Sequence, residues 1–388
     1  ITLLRFGAAK IAGKVDHATD LCACMSTAWF TKALLPWYRE HYRPLPWRET
    51  RDPYRIWLSE VILQQTRVDQ GLAYWERFVA RYPTIMDLAA APEGEILRLW
   101  QGLGYYSRAR NLLSAAKQVV QDHGGHFPAD HAALCSLKGV GDYTASAIAS
   151  ICFDLPEPVV DGNVYRVLAR IFGNGTPIDS TAGRKEFRAL AAQLLDPKHP
   201  GDHNQAVMEL GATVCTPQKP LCGQCPLANK CIARKADRIA ELPYKAGKTK
   251  TRTRHFNYLH IAVEDGIYLH KREGRDIWQG LWELPLIESD RPLGASAMAK
   301  RIALTIGPTA VITAKHGPVK HLLSHQVIFA VFWTCVLPKK ARPPKGWVRV
   351  SWKKLDRHAL PRVMECHFQE HRPESRGGRK PYLRPPIH

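Results

Sequence analysis

Four cysteines stand within seventeen residues, spaced Cys215-x6-Cys222-x2-Cys225-x5-Cys231. The loops between them are too short to carry any thiolate far from the others, so all four can converge on one centre. Tetrahedral thiolate coordination suits zinc and an iron–sulfur cluster equally, and the spacing leaves both open. In either case all four ligands come from the chain and none is left for substrate, which predicts a structural role. Lys219, Lys230, Arg234 and Lys235 lie around the loop and can present cations to phosphate.

Two carboxylates have the makings of an acid–base pair. Glu60 lies inside the run Ile56-Trp57-Leu58-Ser59-Glu60-Val61-Ile62-Leu63. An apolar setting disfavours the charged form and keeps a carboxyl protonated near neutrality, the state that a general acid requires. The plain alternative is a Glu on a solvated helix face. Asp161 sits in Pro158-Val159-Val160-Asp161-Gly162-Asn163, where an N-cap is the plain reading. Two acids in unlike settings, one buried and one polar, suit glycosidic cleavage: one protonates the leaving group and the other faces an oxocarbenium-like centre. A third signal is Leu137-Lys138-Gly139-Val140-Gly141-Asp142-Tyr143-Thr144. Gly139 and Gly141 permit a tight turn between helices, whose N–H groups and following helix N-terminus can hold a phosphate. Alone, this is equally a plain helical turn.

The elements that must position these residues follow from periodicity. Apolar residues at three-to-four spacing predict helices over 55–68, 107–123, 132–137, 142–153, 162–172, 181–195 and 204–215. Short β-branched and aromatic runs predict strands over 257–264, 266–271 and 326–335, with one helix over 295–306. The expected organisation is multidomain: an all-α domain over 25–239 holding the cysteine loop 215–231, a basic interdomain linker over 240–255, and a smaller α/β domain over 256–371. Residues 1–24 are expected to be an upstream or disordered segment ahead of Met25, and 372–388 a basic disordered tail.

Composition narrows the class. A chain of 388 residues with 45% hydrophobic and 23% charged residues is globular, neither disordered nor coiled coil. Lys plus Arg number 55 against 35 Asp plus Glu, a formal charge of +20, which calls for a polyanionic partner. From Lys339 onward 14 cations face 4 acids, and Lys245, Lys248, Lys250, Arg252 and Arg254 form a run without an anion. In an extended connector such a run can track a phosphate backbone and gain affinity by counterion release. Without an amphipathic aromatic stripe, nucleic acid is favoured over a membrane surface. No secretion signal is read, so a reducing, cytoplasmic setting on bacterial nucleoid DNA is expected, and disulfides are the lesser use of the ten cysteines, Cys22 and Cys24 included.

The motifs WLSEVILQQT, QGLGYYSRARN, LKGVGDYTASAI and VVDGNVYRVLAR, followed by the four-cysteine loop, together resemble the helix-hairpin-helix DNA glycosylases, specifically those of the MutY type. The likeness runs in collinear order from about Trp29 to Ile232. It implies a two-lobed helical domain that bends double-stranded DNA, flips one nucleotide into a cleft and cuts its N-glycosidic bond. It implies a [4Fe–4S] cluster on Cys215, Cys222, Cys225 and Cys231. Glu60 matches the general acid that protonates adenine at N7, and Asp161 the carboxylate that stabilises the sugar cation or forms a transient adduct. Tyr143 and Asn163 match residues that hydrogen-bond around them. Trp47, Arg48, Leu63, Val68 and Gln205 align with adenine-pocket contacts, and Gln65 and Tyr105 with side chains that wedge into the stack.

One position separates subfamilies. Members that also cleave the backbone carry Lys where this chain has Tyr143, because a Schiff base needs an amine. Lys138 stands where Pro is usual and Asp142 where Arg is frequent, two departures in the hairpin. The second domain resembles the Nudix-like domain of the same family, with IWQGLWELP its clearest stretch. Ile302-Ala303-Leu304-Thr305 replace the paired Glu of a Nudix hydrolase, so binding without hydrolysis is expected. Leu323, Ser324 and His325 align with the loop that senses 8-oxoguanine, Leu323 standing where Phe is frequent. The implied activity is monofunctional excision of adenine mispaired with 8-oxoguanine or guanine, one chain sufficing for one lesion. The alternatives are a bifunctional glycosylase/lyase for oxidised pyrimidines and a non-enzymatic iron–sulfur DNA-binding protein.

Overall fold

The computed structural model describes residues 27–247, 251–337 and 343–372. The expected segment 1–24 with Cys22 and Cys24, the connector residues Lys248 and Lys250, and the tail from 373 lie outside the described residues. In chain order the elements are α1 (Ala28–His41), α2 (Pro53–Leu63), α3 (Val68–Arg81), α4 (Ile85–Ala89), α5 (Glu93–Trp100), α6 (Ser107–His123), α7 (His131–Ser136), α8 (Asp142–Phe153), α9 (Gly162–Phe172), α10 (Thr181–Leu194), α11 (Pro200–Thr213) and the short α12 (Ile232–Lys235). Then follow β1 (Arg252–His260), β2 (Ala262–Val263), β3 (Gly266–Lys271), β4 (Trp282–Glu283), β5 (Leu286–Ser289), α13 (Ala295–Ile306), β6 (Val311–Leu322), β7 (Gln326–Val336), β8 (Trp347–Ser351) and α14 (Arg362–His371). Among the described residues no helix is long and apolar enough to cross a membrane.

The chain divides into two compact units. The first joins the segment ending at Arg43 to 154–246, so α1 packs with α9 to α12. Its core holds Phe30, Leu34, Val167, Leu168, Phe187 and Leu210, all at most 1% exposed. Helix α9 is bounded by its own sequence: Asp161 caps its N-terminus, and Gly173 ends it in the left-handed region at φ 63°. Glu209, fully buried on α11, is held by the Arg43 guanidinium at 2.6 and 2.7 Å.

The second unit joins 44–153 to the chain from 247 onward. Its helical part, α2 to α8, buries Trp57, Phe78, Trp100 and Ile148 completely. Its α/β part has a four-stranded sheet ordered β5-β1-β7-β6, with β1 and β7 parallel, and a second sheet ordered β2-β3-β4 with β8 on β3. Leu259, Trp333, Met298 and Ile302 pack α13 against the first sheet. Helix α13 reads ASAMAKRIALTI and carries no carboxylate.

The connector is shorter than its charge run suggests. Strand β1 begins at Arg252, and Arg254, only 6% exposed, pairs with Asp276 and Glu288 at 2.7 Å each. A guanidinium already neutralised by two carboxylates has no counterions to release, so Arg254 is a structural cation and not part of a phosphate-tracking run. The helix expected over 55–68 is two: α2 stops at Leu63 and α3 starts at Val68. The carbonyls at the end of α2 turn inward to the buried Arg108, which donates to those of Val61 and Ile62 at 3.0 Å and of Gln64 at 2.5 Å.

Candidate active site and cluster loop

Glu60 is carried on α2, a helix started by the side chain of Asp52 and by Pro53 at its first position. Its neighbours Leu58, Val61 and Ile62 are buried, while Glu60 itself is half-buried and opens to solvent on one side. Tyr143, in the first turn of α8, donates its hydroxyl to Glu60 Oε2 at 2.7 Å. A carboxyl and a phenol 83 positions apart are thereby joined in one unit, and Arg108, which caps α2, holds the end of the helix that carries Glu60. Leu63 packs over Gly71 so closely that a Cβ there would lie 2.6 Å from Leu63 Cδ2.

Gln65 and Tyr105 share a signature. Both have positive φ, 56° and 47°, and both side chains are exposed, Tyr105 by 41%. Left-handed backbone in residues other than glycine is strained and is held by its surroundings. Trp47 is 8% exposed and meets Trp75 edge-on at 5.7 Å, so it sits in the core, while Arg48 and Val68 are half-buried. Gln205 is half-buried on α11. Its neighbour Asn204, missed in the sequence, has the larger positioning role: it accepts from Val159 N at 3.1 Å and donates to Glu157 O at 2.8 Å.

The hairpin joins α7 to α8. Gly139 has φ 78°, and a Cβ there would stand 2.7 Å from that of Asn111 on α6, so both backbone and space demand glycine. Gly141 has open space on its Cβ side. The N–H of Lys138 is taken by Gln118 Oε1 at 2.7 Å, and Asp142 lies 3.4 Å from His131 Nε2.

In the first unit Asp161 is held by three donors: Asn163 N and Val164 N reach Oδ1 at 2.8 and 2.7 Å, and Asn163 Nδ2 reaches Oδ2 at 2.8 Å. Burial pushes its carboxyl above the ordinary range although these donors and Arg166 pull the other way. The acid expected in the polar setting is therefore itself raised by burial, because an N-cap carboxylate faces inward here. Asn163 Oδ1 accepts from Arg166 Nη2 at 2.8 Å, and Arg166 Nε donates to the carbonyl of Cys215 at 2.7 Å. A continuous chain of hydrogen bonds thus runs from Asp161 to the cysteine loop.

Cys215, Cys222, Cys225 and Cys231 line one small cavity with Arg170 and Arg234. Arg170 Nη1 lies 3.5 Å from Cys215 Sγ, a cation placed to favour thiolate, while burial pushes the Cys225 thiol up to about 11. All four are free thiols facing shared space, as a four-thiolate centre requires.

Within the second unit Leu323, Ser324 and His325 form the turn from β6 to β7 and, with Tyr105, Arg110, Asp276 and Trp278, wall a cavity of about 460 Å³. Ser324 Oγ and His325 Nδ1 are 3.2 Å apart. Arg110 donates to the carbonyl of Gln279 at 2.6 Å, tying α6 to the 276–281 loop. Asp276 carried no distinguishing motif, while Arg110 entered only as part of QGLGYYSRARN and Trp278 only as part of IWQGLWELP.

Residues 58–193 match the profile of the HhH-GPD superfamily base excision DNA repair proteins, 215–235 that of the iron–sulfur binding domain of endonuclease III, and 257–369 that of the NUDIX domain. The chain is 35% identical to the adenine DNA glycosylase of Mus musculus, over 90% of this chain and 79% of that one. It is 34% identical to that of Rattus norvegicus, over 92% and 81%. The chain belongs to the adenine DNA glycosylases. Among solved structures a thermostable thymine-DNA glycosylase aligns with a TM-score of 0.51 and 30% identity, covering 54% of this chain and 97% of that one. As an adenine DNA glycosylase family member with the endonuclease III loop, the chain carries a [4Fe–4S] cluster, and the cavity bounded by four thiols fits it.

Proposed function

We propose that this protein is a monofunctional DNA glycosylase of base excision repair that hydrolyses the N-glycosidic bond of adenine mispaired with 8-oxoguanine or guanine in double-stranded DNA. The observation that carries the reading is the 2.7 Å bond from the Tyr143 hydroxyl to Glu60 Oε2. It orients the carboxyl that hands a proton to N7 of the flipped adenine, which makes a neutral leaving group. Asp161, its Oδ1 engaged by two backbone N–H groups and its Oδ2 by Asn163 Nδ2, is held rigid as the carboxylate that faces the cationic sugar before water attacks.

Tyr143 bears no amine, so no Schiff base forms at that position and the product is an intact abasic strand. The cavity with Ser324 and His325 offers hydrogen-bonding groups to the base opposite. When bound, the cluster on Cys215, Cys222, Cys225 and Cys231 supplies a four-point cross-link of its loop. A single chain serves as the working unit.

The test is a duplex with one adenine opposite 8-oxoguanine, analysed before and after hot alkali. Strand breaks that appear only after alkali are expected. Breaks before alkali would replace the proposal by a glycosylase/lyase, and tight binding without base release would leave a DNA-binding protein.

A further inference from the structure

Four imidazoles crowd one corner of the C-terminal α/β part: His260 on β1, His316 on β6, and His367 and His371 one turn apart on α14. Two of them serve the core. His260 Nδ1 and His367 Nε2 are 2.7 Å apart, both residues are at most 7% exposed, and the His367 ring stacks on Phe332 at 3.8 Å.

The outer pair is differently placed. The rings of His316 and His371 stand 4.7 Å apart at 66°, and Glu370 Oε2 lies 3.6 Å from His316 Nε2. One donor atom from each of His316, Glu370 and His371 lies within 4.8 Å of the other two. His371 Nδ1 bonds the carbonyl of His367 at 3.0 Å. A carbonyl only accepts, so Nδ1 carries the hydrogen and Nε2 carries the lone pair. A backbone carbonyl behind the distal nitrogen is the arrangement that orients metal-binding imidazoles.

We propose that His316, Glu370 and His371 bind one zinc-class divalent cation, with water in the fourth position, and so tie α14 to β6. In a tetrahedral zinc site adjacent ligand atoms are about 3.3 Å apart, which the His316–Glu370 pair already approaches, and rotation of the Glu370 and His371 side chains, both exposed, closes the rest. Two imidazoles and one carboxylate select a borderline cation over magnesium or calcium, which prefer all-oxygen sites, and over copper(I), which prefers sulfur. The simpler alternative is a surface ion pair of His316 with Glu370, which binds no metal. β6 leads directly into the turn with Leu323, Ser324 and His325, so the cation braces the strand beneath that turn.

The experiment uses the holoprotein with its cluster intact. It is incubated with Zn²⁺, desalted, and assayed for zinc and iron together. One zinc per chain more than in a His316→Ala, His371→Ala double variant is expected, at equal iron content. Equal zinc in the two proteins overturns the site. Should the double variant not fold, Glu370→Gln decides: its zinc affinity should fall by about tenfold or more, and unchanged affinity overturns the proposal. Displacement of the zinc by an about hundredfold excess of Mg²⁺ would also overturn it, because the donor set disfavours hard cations.

Discussion

The Arg166 guanidinium donates at 2.8 Å to Asn163 Oδ1 and at 2.7 Å to the carbonyl of Cys215. One side chain thereby fixes the amide that orients Asp161 and the first residue of the cysteine loop. It also reaches the Gly211 carbonyl at 2.7 Å.

Replacing Arg166 by Ala leaves these buried acceptors without their donor. A loss of about 2–4 kcal/mol of stability is expected, with iron lost on purification, since each unsatisfied buried group costs about 1–3 kcal/mol. Urea unfolding followed by circular dichroism and visible absorbance measures both. A variant unfolding at the wild-type midpoint with full iron would show that the link has no structural weight.

Glu60→Gln should slow single-turnover adenine release by about 10²–10⁴-fold, the range for a lost general acid. Tyr143→Phe removes one hydrogen bond to a chargeable group, worth about 1.5–3 kcal/mol, and should slow release by about tenfold to hundredfold with duplex binding retained. Equal rates for Tyr143→Phe and wild type would remove Tyr143 from the machinery.

The two hairpin glycines should respond differently. Gly139→Ala meets both a left-handed backbone and the Asn111 side chain, and should destabilise the protein by about 1–3 kcal/mol and weaken duplex affinity. Gly141→Ala meets open space and should do neither. Similar effects of the two substitutions on thermal unfolding would contradict this assignment.

Stability should also fall in mild acid through His203. Burial pushes its imidazole down to about 4, from about 6.5 in the unfolded chain. Above about pH 6.5 both states are neutral there. As pH falls from about 6.5 towards 4 the unfolded state binds the proton first and is favoured by up to about 3 kcal/mol. Urea midpoints from pH 7.5 to 4.5 should decline, and less steeply in His203→Gln. Parallel slopes would assign the decline to other groups.

Much of this was legible in the sequence because it is local. Periodicity bounds α6, α8, α9 and α13 to the residue, and the N-cap reading of Asp161 holds. The break between α2 and α3 escaped because Gln64 to Arg67 contains neither Gly nor Pro, and the turn depends on Arg108, more than forty positions away. The burial of Arg254 escaped for the same reason: its carboxylate partners are 22 and 34 residues distant, and a count of charges cannot see who pairs with whom.

The wall of the 460 Å³ cavity comes from two stretches of chain, one around Tyr105 and Arg110 and the other after residue 275. Neither stretch encloses it alone. A C-terminal fragment expressed by itself would have the Ser324 and His325 turn but no opposing wall, so the proposed reader of the opposite base would not be a transplantable module. It has to be inherited together with the helices that it is built against.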